Sequence, residues 1–148
     1  MKKLVLAALL ATFAAGASTA DKISFGVSAT YPPFESLDAS NKIVGFDIDL
    51  ATALCKQMQA DCTFTNHAFD SLIPALKFKK YDAVISGMYV TPERQKQADA
   101  IPYALSGASI IALKNSTIQP KTEDELCGVK VGLQAGTAWV SSLKTHSD

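Results

Sequence analysis

The feature that most constrains the fold is the alternation of short apolar runs with helical or turn-rich segments along the chain. Strand-like apolar runs occupy residues 23–27, 43–45, 62–68, 81–86, 106–113 and 129–133. Parallel strands need a long crossover between them, usually a helix, so this alternation favours an α/β fold with a largely parallel sheet. Within it, residues 21–88 are predicted to form a compact βαβαβ unit.

The longest helical pattern follows the second run. Asp47 is predicted to be the N-cap of a helix that continues to about Gln59, because an aspartate before an apolar-periodic segment is a typical helix start. The residues on its apolar face are Ile48, Ala51, Leu54, Cys55 and Met58.

Shorter helices are predicted to begin at Asp70, after Thr91, at Thr122 and at Ala138. Pro92 fits the first position of its helix, where the missing N–H costs nothing. Glu125 stands three residues after Thr122, the spacing of a capping box.

The first twenty residues have the pattern of a secretory signal peptide. Lys2 and Lys3 precede an apolar run over residues 4–15, and small residues at 18–20 provide a cleavage site after Ala20. The alternative is a short membrane anchor, but the run falls short of the ~20 apolar residues that span a bilayer. We expect export to the periplasm and a mature chain that starts at Asp21.

The chain has three cysteines. In an oxidising compartment the close pair Cys55 and Cys62 is interpreted as a disulfide. The alternative is half of a zinc site, but it lacks partners, since His67 is the nearest histidine. Cys127 is left over and is predicted to be a buried or partly buried thiol.

The charge balance argues against two classes of partner. The formal net charge is +0 and becomes −2 when Lys2 and Lys3 leave with the signal peptide. This balance provides no basic surface for nucleic acid and no polybasic segment for a membrane surface.

Candidate ligand-contacting residues follow three predicted strands. In an open parallel sheet, ligands bind outside the carboxyl ends of the strands. Tyr31 and Phe69 lie at two such ends, and Ser86 and Gly87 lie at a third, where Gly87 offers a free N–H. Two aromatic rings that face a crevice can hold a flat cation or an aliphatic stem. The alternative is that both rings belong to the core.

Arg94 and the turn at residues 134–137 could hold a carboxylate. Arg94 lies in the first turn of a helix, where the dipole disfavours a cation unless it meets an anion, which a guanidinium grips with two hydrogen bonds. A glycine turn that opens a helix offers N–H groups to the same anion. Alternatively, Arg94 pairs with Glu93 or Asp99 at the surface, and the turn is an ordinary cap.

Together these segments resemble the periplasmic amino-acid-binding proteins of ABC importers, most closely the arginine and lysine–arginine–ornithine binders. The motifs that carry the resemblance are GVSATYPPFE at 26–35, GFDIDL at 45–50, FDSLIPAL at 69–76, YDAVISGM at 81–88 and TPER at 91–94. The match is dense over residues 21–95 and looser to about Thr137.

The resemblance implies a type II periplasmic-binding-protein-like fold of two lobes with parallel-type sheets. Residues 21–88 would form lobe 1, which is mostly present. Residues 89–148 would form the crossover and part of a truncated lobe 2. The Cys55–Cys62 pair also resembles a disulfide that some basic-amino-acid binders carry. The family match extends to Asp47 and Asp49, of which we interpret Asp47 as a structural cap.

The resemblance also implies a set of ligand contacts. Tyr31 and Phe69 would sandwich the ligand side chain, and Ser86 and Gly87 would contact its main-chain groups. Arg94 would clamp the α-carboxylate, with help from the N–H groups of Thr137 and Ala138.

The expected function is capture of a basic amino acid, arginine first, with lysine, ornithine and histidine open. The expected partner is a membrane ABC permease, the expected state is a monomer, and no cofactor or metal is expected.

Three departures from the family stand out. Tyr89 replaces a small or acidic polar residue and would crowd the site, and Ala138 replaces a frequent threonine. The acidic residue that pairs with the ligand ammonium in relatives comes from beyond Asp148.

Two alternatives belong to other functional classes. One is a truncated or decayed paralogue that binds no ligand. The other is an exported enzyme on the same scaffold, with Glu35 or Asp70 as an acid. No Ser/His/Asp or Cys/His arrangement supports the enzyme, since His67 and His146 lack evident partners in the sequence.

Overall fold

The computed structural model of the chain describes residues 20–147. The signal-peptide prediction falls on residues 1–19, outside the described residues, and it stays a prediction together with cleavage after Ala20. Within the described part, no helix is both long enough and apolar enough to cross a membrane.

A three-stranded parallel sheet organises the first part of the chain. Its central strand is β1 (Lys22–Val27), flanked by β5 (Asp61–Asn66) and β6 (Ala83–Val84) in the order β5-β1-β6. The register pairs Phe25 with Phe64, whose ring centroids lie 5.6 Å apart. The predicted parallel βαβαβ unit is therefore confirmed, although β6 is shorter than the predicted run at 81–86.

A second, antiparallel sheet follows β1 and was only partly predicted. Its strands are β2 (Thr30–Tyr31), β3 (Glu35–Leu37) and β4 (Ile43–Val44), in the order β2-β3-β4. The predicted piece at 43–45 corresponds to β4. This small sheet carries Tyr31 and Glu35 to the carboxyl end of β1.

The main helix, α1 (Phe46–Met58), corrects the interpretation of Asp47 as a structural cap. The N-cap is Gly45, and Asp47 lies within the first turn with its side chain fully buried. The reason is helical spacing: residues 47, 51 and 55 are four apart and share the stripe that faces the sheet. The predicted apolar face was too wide, since Leu54 and Met58 are about half exposed.

The short helices confirm most of the predicted starts. A 3-10 turn (Phe69–Ser71) leads into α2 (Leu72–Lys77), and α3 (Pro92–Gln95) has Pro at its first position. The Thr91 hydroxyl accepts the Arg94 N–H at 3.3 Å, which is an N-cap contact.

The core lies between α1 and the parallel sheet. Its buried members are Phe25, Val27, Ile48, Ala51, Cys55 and Ile85. A disulfide joins Cys55 of α1 to Cys62 of β5, as predicted. Cys127 contradicts its prediction because it is exposed.

Residues after α3 contain little regular structure among those described. A 3-10 turn (Asp124–Leu126) and α4 (Ala138–Ser147) form, but the strands predicted at 106–113 and 129–133 do not. A strand forms only when a neighbouring strand satisfies its N–H and C=O groups, and the structure pairs neither segment with another strand. Glu125 accepts the N–H of Lys121, and the 3-10 turn has no side-chain cap bond, so the capping box predicted at Thr122 does not form.

The division into two lobes at residue 88 stays a prediction. Regular structure and burial concentrate before that point, whereas Ile111 and Leu113 remain largely exposed after it.

Candidate functional site

All seven predicted ligand contacts line one cavity of about 250 Å³. They are Tyr31, Phe69, Ser86, Gly87, Arg94, Thr137 and Ala138. The first four follow the carboxyl ends of β1, β5 and β6, because parallel strands end at the same edge of a sheet. The others come from α3 and the start of α4, which close the opposite side.

The two aromatic rings belong to the cavity wall and not to the core. Tyr31 is exposed and stacks on Phe34 at 5.1 Å, and Phe69 is half-buried. The guanidinium carbon of Arg94 lies 5.6 Å from the centroid of the Phe69 ring. Both rings are thus held by neighbours while they border the cavity.

Arg94 is held by backbone carbonyls. Its Nη1 donates to Tyr89 O at 2.6 Å, and its Nη2 donates to Gly136 O at 2.9 Å. Neither of these bonds goes to Glu93 or Asp99, the predicted surface partners. Burial lowers the pKa of the Arg94 guanidinium, although an arginine stays charged. A guanidinium has five N–H groups, so these two bonds leave donors for a carboxylate in the cavity.

The turn that precedes α4 approaches the sheet edge closely. Gly136 has φ +75°, and a Cβ atom there would lie 2.6 Å from the Cα of Asp70. The hydroxyl and the N–H of Thr137 both donate to Gln134 O, at 2.8 and 3.3 Å. The turn is therefore stabilised internally, and it requires glycine where it meets Asp70.

The polar groups at the end of β6 are not free, which corrects the expectation for Gly87. Its N–H donates to Asp47 Oδ2 at 2.8 Å and lies 3.1 Å from the Tyr103 hydroxyl. The Ser86 hydroxyl donates to Glu35 Oε1 at 2.7 Å and accepts the Ser28 N–H at 2.9 Å. Ser86 and Gly87 are thus fixed from behind the cavity.

Two buried carboxyl groups supply that fixation. Glu35 is 1% exposed and Asp47 is 0% exposed. Burial and the neighbouring Asp47 raise the pKa of Glu35 to about 8. The Tyr103 hydroxyl donates to Asp47 at 2.9 Å, and burial raises the pKa of that tyrosine.

The sequence analysis did not identify Trp139 or Tyr103 as residues at or near the cavity. Trp139, the one tryptophan of the chain, borders the cavity and meets Tyr89 edge-on at 5.4 Å. Its position directly after the predicted turn was the available signal. Tyr89, which was expected to crowd the site, lines the cavity. Its ring packs against the ring of Trp139. Glu35 also lines the cavity, and Tyr103 lies in a segment without a recognisable motif.

A larger cavity of about 660 Å³ lies among the residues after α3. It is lined mainly by aliphatic side chains of segments 107–120 and 126–143. A site for a charged ligand needs placed polar groups, so this apolar space fits such a ligand less well than the first cavity.

Residues 23–138 match the family described as bacterial extracellular solute-binding proteins, family 3. The chain is 67% identical over 138 residues to "ABC transporter arginine-binding protein 1" of Escherichia coli K12, which covers 93% of this chain and 56% of that protein. It is 44% identical over 145 residues to the histidine-binding periplasmic protein of Salmonella typhimurium LT2, with 93% of this chain and 55% of that protein covered. The chain thus spans about half the length of these curated relatives.

The fold is similar to that of a solved structure described as an ancestral arginine-binding protein bound to arginine. The TM-score is 0.81 at 40% identity, and the match covers 85% of this chain and 56% of the other. The matches in sequence and structure confirm the predicted resemblance and the predicted fold class.

Proposed function

The chain belongs to family 3 of the bacterial extracellular solute-binding proteins, and on that premise we propose that it captures a basic amino acid, arginine first, in the cavity at the sheet edge. It delivers this ligand to a membrane ABC permease, acts in the periplasm as a monomer, and catalyses no reaction on what it binds.

One observation carries the proposal. The same cavity is lined by the seven residues that the family resemblance implies as ligand contacts. Its volume of about 250 Å³ lies just below the range of roughly 300–1,000 Å³ for drug-sized ligands, which suits a molecule the size of an amino acid.

The chemistry around the cavity matches a zwitterion with a cationic side chain. Arg94 supplies a positive charge with further N–H donors. Thr137 immediately precedes α4, which starts at Ala138 and whose N-terminus favours an anion. Tyr31 and Phe69 offer ring faces to a guanidinium. Ser86 and Gly87 lie between these two ends of the ligand.

Two relatives bear on the choice of ligand by their names, one arginine-binding and one histidine-binding. Arginine is favoured because its planar guanidinium stacks on aromatic rings better than a compact ammonium does. An enzyme is disfavoured because the described residues that line the cavity include neither histidine nor cysteine. Its buried serines are Ser28 and Ser86, and the Ser86 hydroxyl already donates to Glu35.

The experiment uses Trp139 as a built-in reporter. Because this single tryptophan borders the cavity, L-arginine should change its fluorescence in a saturable way. L-lysine, L-ornithine and L-histidine test selectivity, and L-glutamate is the anionic control. Mass spectrometry of the recovered ligand should find it unchanged. A folded chain that responds to none of the four basic amino acids would support the decayed paralogue, and conversion of ligand would support the enzyme.

A further inference from the structure

We propose that Glu35 and Asp47 form a proton-sharing carboxyl pair that positions Ser86 and Gly87 at the cavity, so that ligand affinity depends on that proton. The dependence of affinity rests on the proposed function. The existence of the pair does not, because it follows from contacts within the chain.

The pair is buried between the small antiparallel sheet and α1. Glu35 begins β3 and Asp47 lies in the first turn of α1, and neither side chain is more than 1% exposed. Removing two ionised carboxylates from water at one place is strongly unfavourable, since burial and like charge both oppose ionisation. One proton shared between them relieves both effects.

The hydrogen bonds indicate where the proton resides. Glu35 Oε1 accepts from the Ser86 hydroxyl, whereas Oε2 is buried without a hydrogen-bond partner in the described structure. Asp47 accepts from Gly87 N and from the Tyr103 hydroxyl, so both of its oxygens act as acceptors. A proton on Glu35 Oε2 turns the unsatisfied acceptor into a donor towards Asp47, the carboxyl that interacts with it.

The pair connects directly to the cavity wall. Ser86 lies between Glu35 and the N–H of Ser28, and Gly87 is held by Asp47. Gly87 has φ +52°, and a Cβ atom there would lie 3.0 Å from the ring of Tyr31. Ionisation of Glu35 against Asp47 would therefore displace the end of β6 and the Tyr31 ring that packs on it.

The groups that face Glu35 favour one direction of this effect. Asp47 faces Glu35 from α1 and raises its pKa. Tyr103 faces Glu35 from the segment after α3 and carries no positive charge that would lower this pKa. The Ser86 hydroxyl lowers the pKa of Glu35, but burial outweighs it. Burial and Asp47 thus raise the pKa of Glu35 to about 8.

The first test needs no ligand. The chain has four glutamates, Glu35, Glu93, Glu123 and Glu125, so carboxyl-13C labelling of glutamate gives few signals. The signal that disappears in Glu35→Gln should titrate near pH 8, far above the ordinary glutamate value. A Glu35 signal that titrates near pH 4.5 overturns the pair, whether or not the chain binds an amino acid.

The second test measures L-arginine affinity between pH 7 and pH 9 by Trp139 fluorescence. If only the protonated pair is competent, affinity falls about tenfold over this interval, in proportion to the competent fraction. Glu35→Gln replaces the shared proton with an amide donor, so the fall in affinity that is due to Glu35 should disappear. The fall that remains should be the one caused by deprotonation of the α-ammonium group of L-arginine itself. The matched control is Asp82→Asn, because Asp82 also accepts a serine hydroxyl, that of Ser24 at 2.6 Å, but is exposed.

The two tests separate failure of the pair from failure of the proposed function. Equal pH dependence in the wild-type chain and Glu35→Gln overturns the positioning role. Loss of the pH dependence in Asp82→Asn overturns it as well. If no basic amino acid binds at any pH, the proposed function fails, and the carboxyl titration alone decides whether the pair exists.

Discussion

The backbone N–H of Gly87 donates to Asp47 Oδ2 at 2.8 Å, across forty positions of sequence. This bond ties the end of β6 to the first turn of α1. It fixes the cavity edge through a contact within the chain. It also means that Asp47 acts by contact with a distant strand and not by capping its own helix.

Replacing Asp47 with alanine should lower the free energy of unfolding by about 2–3 kcal/mol, because the Gly87 N–H and the Tyr103 hydroxyl lose a charged acceptor in a buried place. Urea unfolding measures this loss. The matched control is Asp49→Ala, which removes an exposed carboxylate from the same helical turn and should have a small effect. Equal losses in both variants would mean that only the helix dipole is involved.

The aromatic wall predicts a selective loss of affinity. Tyr31→Ala and Phe69→Ala should each weaken L-arginine binding by about 2- to 30-fold, since a desolvated cation–π contact contributes ~0.5–2 kcal/mol. Fluorescence titration measures the change. Phe78→Ala removes an aromatic ring that is 79% exposed and away from the cavity, and it should bind as the wild-type chain does. Unchanged affinity in both wall variants would place the ligand elsewhere.

Gly136 and Gly128 form a natural pair for testing the close approach of the turn. Both have positive φ, +75° and +74°, but an added Cβ meets Asp70 at Gly136 and nothing within 4 Å at Gly128. Alanine at either position costs about 1–2 kcal/mol of backbone strain. Gly136→Ala should in addition weaken arginine binding, because it pushes the turn and the carbonyl that holds Arg94 away from the sheet edge. The idea fails if both variants bind arginine equally well.

The disulfide should stabilise the folded chain by roughly 2–3 kcal/mol, the loop-closure estimate for a loop of about eight residues. The double variant Cys55→Ser, Cys62→Ser should show this loss in urea unfolding. Cys127→Ser, which alters an exposed thiol, should not. A destabilisation that is no larger in the double variant than in Cys127→Ser would contradict the estimate.

Much of the first βαβαβ unit could be predicted because its signals are local. Apolar runs and Pro92 at a helix start each act within a few residues. The same reasoning brought Tyr31, Phe69, Ser86 and Gly87 to one cavity, since the carboxyl ends of parallel strands share an edge.

What the sequence could not indicate depends on distant partners. Asp47 has the spacing of a cap, and only its contact with Gly87 and Tyr103 reveals its place in the core. The apolar runs at 106–113 and 129–133 have the composition of strands, but pairing depends on a neighbouring strand and not on composition. Cys127 was predicted to be buried for a similar reason, from residue type alone.

The most direct test of the account is a calorimetric titration of L-arginine into the chain, run in parallel with Arg94→Ala and with Lys96→Ala as an exposed cationic control from the end of the same helix. The account predicts saturable heat with one site per chain in the wild type and in Lys96→Ala. It predicts a loss of affinity of at least about 30-fold in Arg94→Ala, since truncating one partner of a desolvated charge pair costs ~2–5 kcal/mol. Arginine binding of undiminished affinity in Arg94→Ala would contradict the carboxylate clamp and the assignment of this cavity.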